Sequence, residues 1–253
     1  MSNAISIAPD DVKRANRRLY DAIANDYERI DGRRDERLVQ WIHSMLRELA
    51  PRDGEGTLLD VGSGSGVVLR AANGLFRRCI AVDLSPRILQ TGSDSSDHRI
   101  AADVECLPVK DESVHVISCF AVLHHLSDSA ALAREAYRVL RPGGVFWSDH
   151  DMESAFFNRF RPALSVYRKL RGARQRHESG ANSSTRPLYD IAECRENGVS
   201  ATETLSDLQR AGFLATAYFH WFGLTPTTNR LFGTAVKSRG WAPLLRVVAV
   251  KPG

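Results

Sequence analysis

Three glycines at alternate positions, Gly62, Gly64 and Gly66, follow the apolar run Leu58-Leu59-Asp60-Val61 and precede Val67-Val68-Leu69. Glycine serves where a backbone must turn sharply and let a ligand approach with no Cβ in the way. The spacing is GxGxG with Asp60 two residues before the first glycine, so it departs from the GxGxxG of dinucleotide-binding loops. Two more carboxylates end apolar runs downstream. Asp83 closes Ala81-Val82-Asp83, where a carboxylate can accept both hydroxyls of a ribose. Asp103 follows Ala101-Ala102, where it can accept from an adenine amino group. Each acid alone reads equally well as a solvated strand end. Three of them at the carboxyl ends of successive strands lie where open α/β sheets bind ligands. His124 and His125 follow the next apolar run, and an imidazole with an ordinary pKa of about 6.5 suits proton removal at neutral pH. Asp149, His150 and Asp151 follow the run after that and point to the same rim. They read as substrate contacts or solvated loop, and no metal site is expected.

The elements that must position these groups are legible as periodicity. Short apolar runs at 57–61, 79–83, 99–102, 114–119 and 145–148 alternate with turns and helical stretches. Ser85-Pro86 is an N-cap followed by a first helical residue, and Leu132, Ala136, Val139 and Leu140 mark one face of a helix within 127–141. Such alternation predicts a parallel sheet covered on both faces. Upstream, Asp10 and Asp11 can cap a helix running to about Arg29, and Leu38, Ile42, Met45, Leu46 and Leu49 line a second one. Downstream, residues 150–200 read as irregular and rich in arginine, with a loop-like stretch at 179–184. A helix at 202–211 and strand-like runs at 213–222 and 244–251 follow, the last two joined by an unusually long link. One domain over 1–253 is the economical organisation: a helical cap at 1–50, a core at 57–148, an inserted segment at 150–200, and a C-terminal helix and strands at 201–253.

Composition narrows the class. With 43% hydrophobic and 25% charged residues the chain matches soluble globular averages, which excludes a disordered or collagen-like one. The net charge of +4 does not by itself imply a nucleic-acid partner. No apolar run is long enough to span a membrane and no secretory signal is evident. Cys79, Cys106, Cys119 and Cys194 are scattered without a paired motif, which predicts reduced, buried thiols and a cytoplasmic setting.

The chain resembles the class I S-adenosylmethionine-dependent methyltransferases of the ubiquinone/menaquinone-biosynthesis type. The motifs that carry the resemblance are Leu59-Asp60-Val61-Gly62-Ser63-Gly64-Ser65-Gly66, Ala81-Val82-Asp83-Leu84-Ser85, Ala102-Asp103 through Leu107-Pro108, Val122-Leu123-His124-His125-Leu126, and Arg138-Val139-Leu140-Arg141-Pro142-Gly143-Gly144. The resemblance implies a Rossmann-like α/β fold: a seven-stranded sheet with helices on both faces, its last strand antiparallel, an N-terminal helical cap and an inserted helical lid. It implies S-adenosylmethionine as cofactor, with Asp60, Gly62, Ser63 and Gly64 around the methionine end. Asp83 would hold the ribose, Leu84 would pack near the adenine, and Asp103 with the Val104 backbone would read the adenine amine. Phe120 would lie beneath the cofactor, and Tyr20 or Tyr27 would close over the methionine, unless they serve only helix packing. His124 and His125 would lie near the methyl group, as a base or as a structural loop element.

These motifs are specific for cofactor and fold, not for the acceptor. The implied reaction is methyl transfer to a small-molecule or lipid-like acceptor through an O-, C- or N-nucleophile. The alternatives are a catalytically silent S-adenosylmethionine-binding protein and a nicotinamide-dependent oxidoreductase, the latter disfavoured by the glycine spacing. Between Arg159 and Arg176 seven basic residues and no acid interleave with Phe160, Leu164, Tyr167 and Leu170. The segment reads as a surface helix or as an acceptor lid favouring an acidic amphiphile or an anionic membrane surface. Nucleic acid is not expected, since no RNA-binding module is present.

Overall fold

The computed structural model describes residues 8–27, 36–92, 96–171, 185–192, 194–195 and 197–253, with the backbone alone for 166–171. Its sheet contains β1 (Thr57–Val61), β2 (Arg78–Asp83), β3 (His98–Ala101), β4 (Val114–Phe120), β5 (Leu140–Met152), β6 (Leu214–His220) and β7 (Leu244–Val250). They lie in the order β3-β2-β1-β4-β5-β7-β6. The pairings among β1 to β5 are parallel, and β7 runs antiparallel to both of its neighbours. The seven-stranded α/β sheet with a reversed last strand is therefore as expected. The chain winds outward from β1 to β3 and returns to β4 on the other side. Strand order reverses between β1 and β4, and the crevice above their carboxyl ends is where such sheets take ligands.

The uninterrupted apolar strands reflect burial on both faces. Adjacent residues of β1 serve opposite layers. Leu59 and Val61 join Ile117, Leu132 and Ala136 in the core under α5 (Ala130–Val139) and α8 (Ala201–Ala211). Leu58 joins Val116, Ile42 and Leu69 under α2 (Glu36–Leu49) and α3 (Val67–Ala71). Ser85 caps α4 (Pro86–Thr91) by accepting the Ile88 N–H at 3.2 Å, as its sequence predicts.

Several expectations need correction. The first helix, α1 (Pro9–Ile23), gives way to a 3₁₀ turn at Ala24–Asp26 before Arg29, which itself lies outside the described residues. The stretch read as irregular begins with ordered structure, because β5 continues to Met152 and α6 (Ser154–Arg171) follows. The polar run Asp149-His150-Asp151 conceals that extension in the sequence, yet all three residues are buried and hydrogen-bonded. A short helix, α7 (Arg186–Ala192), packs on α1, while residues 179–184 lie outside the described ones. The long link between β6 and β7 contains α9 (Pro226–Phe232), started by a reciprocal cap between Thr225 and Thr228. Of the four thiols only Cys79 and Cys119 are buried, and Cys106 and Cys194 are exposed. Among the described residues no helix is long and apolar enough to cross a membrane.

Ile117, fully buried at the centre of β4, touches the core that joins sheet to helices. Ile117→Ala is expected to lower the unfolding free energy by about 2–5 kcal/mol, read as a shifted urea midpoint at unchanged slope.

Candidate active site

The site starts where β1 stops. Gly62 and Gly64 have φ of +67° and +53°, left-handed conformations that L side chains rarely adopt. A Cβ on Gly62 would stand 2.4 Å from Val122 Cγ2, so the turn also closes against the loop after β4. The Ser63 N–H donates to the Val82 carbonyl at 3.0 Å, and the Gly64 N–H donates to Asp83 Oδ2 at 2.9 Å. The other oxygen of Asp83 accepts the Ser85 N–H at 2.9 Å. One carboxylate thus clamps the glycine turn of β1 to the turn after β2. Burial pushes the pKa of Asp83 up to about 6, against the pull of these N–H donors.

Beside this clamp opens a cavity whose walls include Gly62, Gly64, Asp83, Leu84, Asp103, Val104 and Phe120. Tyr20, Tyr27 and His125 complete it from the other side. The structure therefore brings ten of the thirteen candidate residues to one space. Helix α1 lies across it, bonded to both banks. On one bank the Lys13 ammonium pairs with Asp103 at 2.7 Å and Glu105 at 2.6 Å, and Asp21 accepts from Ser85 Oγ at 2.6 Å. On the other, Tyr20 Oη lies 2.8 Å from His125 Nε2, and Asn16 donates to the Ala192 carbonyl of α7 at 3.4 Å. His125 Nδ1 lies 3.2 Å from that same carbonyl, which can only accept. This assigns the proton to Nδ1 and leaves Nε2 as the acceptor for the Tyr20 hydroxyl. Burial, reinforced by His124, holds the His125 pKa well below its ordinary value and keeps the ring neutral.

Three candidates stand elsewhere. Asp60, 1% exposed, sits behind the turn; Ser118 of β4 donates to its Oδ1 at 2.7 Å, while Oδ2 has no hydrogen-bond partner. Burial raises its pKa to about 7, with the Asp83 charge pushing the same way. Ser63 faces inward with its hydroxyl buried. His124 turns from the cavity to Asp151, 2.7 Å from Nδ1 to Oδ1. Asp151 also accepts the Leu123 and His124 N–H groups, and so caps the turn that carries His125.

Asp149 and His150 are likewise no rim. Oδ1 of Asp149 accepts from His150 Nδ1 at 2.9 Å and from His220 Nε2 at 2.8 Å, all three residues being buried. Burial alone would raise the Asp149 pKa, but the two imidazoles, His220 foremost, hold it down at about 2. Phe120 stacks on His150 with 4.4 Å between ring centres, so the cluster lies behind an aromatic wall of the cavity. The sequence reading missed Lys13, Arg17 and Glu105 in the lining. Lys13 and Arg17 are one helical turn apart, with Tyr20 in the next turn, a single face that was visible only as amphipathicity.

Comparison with known proteins picks out the same stretch of chain. Residues 59–148 match the model of a methyltransferase domain. The chain is 31% identical over 99 residues to an uncharacterized methyltransferase of Bacillus subtilis, covering 36% of this chain and 39% of that one. It is 32% identical over 131 residues to a malonyl-[acyl-carrier protein] O-methyltransferase of Hahella chejuensis, covering 49% of this chain and 45% of that one. It spans less than half the length of these curated relatives. A crystal structure of an S-adenosylmethionine-dependent methyltransferase from Mesorhizobium loti superposes with a TM-score of 0.55 at 18% identity, over 84% of this chain and 97% of the other. At that identity it shows a shared fold.

The raised pKa of Asp60 has a testable sign. Its folded-state value of about 7 lies above the ordinary 3.8, so its contribution to stability is complete below 3.8 and is lost as pH rises toward 7. Asp60→Asn removes that titration. Between pH 4 and pH 7 the variant is expected to gain on the parent by on the order of 1 kcal/mol per pH unit, read by denaturant titration. A difference that stays flat with pH would show that Asp60 is ionised throughout.

Proposed function

We propose that residues 59–148, which match a methyltransferase-domain model, work as a class I S-adenosylmethionine-dependent domain, and that the chain transfers a methyl group from S-adenosylmethionine to a small-molecule or lipid-like acceptor. The observation that carries this is the convergence of the glycine turn, Asp83 and Asp103 on one cavity. The residues fit the cofactor. Beside Gly64 a Cβ would already stand 3.5 Å from Tyr27, so the turn leaves space that a side chain would take. Adenosine presents hydroxyl and amine donors, and the cavity presents carboxylate acceptors. In the proposal Asp83 takes the ribose hydroxyls, Asp103 and the Val104 backbone take the adenine amine, and Leu84 flanks the base. Tyr20, Tyr27 and Phe120 enclose the methionine end, where aromatic faces favour a cation. Asp60 acts from behind the turn, a buried acid that a nearby positive charge would ionise.

When bound, the cofactor supplies a methyl group already activated on a sulfonium. What remains for the chain is orientation and exclusion of water. The seated α1 serves both. His125, neutral and committed to the Tyr20 hydroxyl, is a positioning residue for that tyrosine more than a strong base, and His124 positions the turn through Asp151. The acceptor reading rests on α6, whose Arg159 guanidinium lies over the Trp241 ring. We keep an acidic amphiphile as the favoured acceptor, with peripheral contact to anionic membrane and a cytoplasmic setting. The remaining basic residues of that segment, Arg168, Lys169, Arg171, Arg174 and Arg176, have side chains outside the described ones.

Asp83→Ala is expected to weaken S-adenosylmethionine binding more than tenfold in calorimetry, since each charge-assisted hydrogen bond lost contributes about 1.5–3 kcal/mol. Gly64→Val, strained at φ +53° and crowding the cavity, should abolish binding in a folded protein. If either variant binds like the parent, this placement of the cofactor is wrong. Labelled methyl cofactor incubated with cell extract should yield a labelled product that Gly64→Val does not make. Tight binding with no labelled product would identify a silent cofactor-binding protein instead.

A further inference from the structure

A second cavity of about 630 Å³ lies between α6 and the segment from β6 to β7. Its lining is aromatic: Phe156 and Phe160 of α6, then Trp221, Phe232 and Trp241. The rings form one continuous surface. Phe156 meets Phe160 at 4.7 Å and Trp221 edge-on at 5.2 Å, and Trp221 stacks on Phe232 at 4.7 Å. Phe156 forms a buried floor, whereas Trp241 is 55% exposed and Phe232 38%. Leu231 and Val236 nearby are 70% and 51% exposed, so an apolar concavity is framed by apolar surface. Contiguous exposed apolar surface of this kind marks a place for a ligand or partner.

Charge selects the occupant. The chain as a whole is nearly balanced, with 34 basic and 30 acidic residues. The two segments that build this cavity are not. Among its described side chains helix α6 has Arg159 and Arg161 and no acid, and residues 221–243 carry Arg230, Lys237 and Arg239 and no acid. Arg239 is engaged by Glu153 at 3.0 Å. Lys237 lines the cavity, and the Arg159 guanidinium lies 4.5 Å from the Trp241 ring centre, a cation at the edge of the apolar wall. An apolar floor with a cationic rim complements a molecule with an apolar chain and an anionic head. The recessed floor favours a single chain threaded into the cavity over a flat bilayer, which would meet only the exposed rings.

We infer that this cavity binds the chain of a single-chain amphiphile whose carboxylate or phosphate head meets the basic rim. Phe156 follows the end of β5 by four residues and Trp221 directly follows β6, and these strands run in the same direction. The cavity therefore lies at the carboxyl edge of the sheet, as the cofactor cavity does. As a seat for the methyl acceptor it rests on the proposed methyl transfer; as a binding site it does not.

Two of the four tryptophans line the cavity, so binding can be read with no cofactor present. The probe is 11-bromoundecanoate, whose bromine quenches nearby indoles, with 11-bromoundecanol as its uncharged counterpart. Saturable quenching is expected below the concentration at which the probe forms micelles, with the carboxylate binding about tenfold more tightly than the alcohol. Phe232→Ser should weaken it at least tenfold, with Trp221 and Trp241 still reporting. Lys237→Gln combined with Arg159→Gln should erase the preference for the carboxylate, and rising salt should do the same. Equal binding of acid and alcohol, unchanged binding to Phe232→Ser, or quenching only by phosphatidylglycerol vesicles carrying brominated chains would overturn the proposal, the last identifying a bilayer as the partner. Gly64→Val separates the two claims: it should bind the probe normally, and it would do so even if methyl transfer were the wrong reading.

Discussion

The contact on which the site depends is a carboxylate held between two backbone turns. Asp83 receives the Gly64 N–H on one oxygen and the Ser85 N–H on the other, and so fixes the end of β1 relative to the end of β2. Ser85 then caps α4 and also reaches Asp21 of α1. A half-buried acid accepts this position because backbone donors replace the water it loses, although not fully, as its raised pKa shows. The glycines are the other half of the same constraint. A side chain at Gly62 would collide with Val122 and move the turn away from Asp83.

How much of this could be read from the chain depended on the range of the interactions. The glycine turn, the strand-end acids and the Ser85-Pro86 helix start are set by neighbours in sequence, and they appear where the residue types predict. Asp60 was legible as a strand-end acid but not as a buried one, because the Ser118 hydroxyl that holds it comes from β4. The same holds for His124 and His125. As an adjacent pair they are indistinguishable, yet Asp151 takes one and Tyr20 the other. Residues 149–151 read as polar loop because nothing local reveals that each finds its partner inside the protein. Lys13 looked like any lysine on the solvated side of an amphipathic helix until Asp103 and Glu105 came to meet it.

The aromatic walls show a division of labour that composition alone does not reveal. Phe120 faces the cavity beside the glycine turn and shields the Asp149–His150–His220 cluster behind it. Trp41 packs against both of those imidazoles from α2, so a helix remote in sequence stabilises the floor of the site. Both imidazoles reach one oxygen of Asp149, which offsets part of the cost of burying it, while Asp149 Oδ2 and His220 Nδ1 have no hydrogen-bond partner.

The position of α1 has a consequence for the site. Its Lys13, Asp21, Asn16 and Tyr20 contacts tie together loops that would otherwise be the two lips of an entrance. While these contacts hold, Val12, Lys13, Asn16, Arg17 and Tyr20 of α1 form one wall of the cavity. The Lys13 pairs among these links are partly exposed, and ion pairs of that kind contribute little to stability. A wall held by such contacts can shift without disturbing the sheet beneath it.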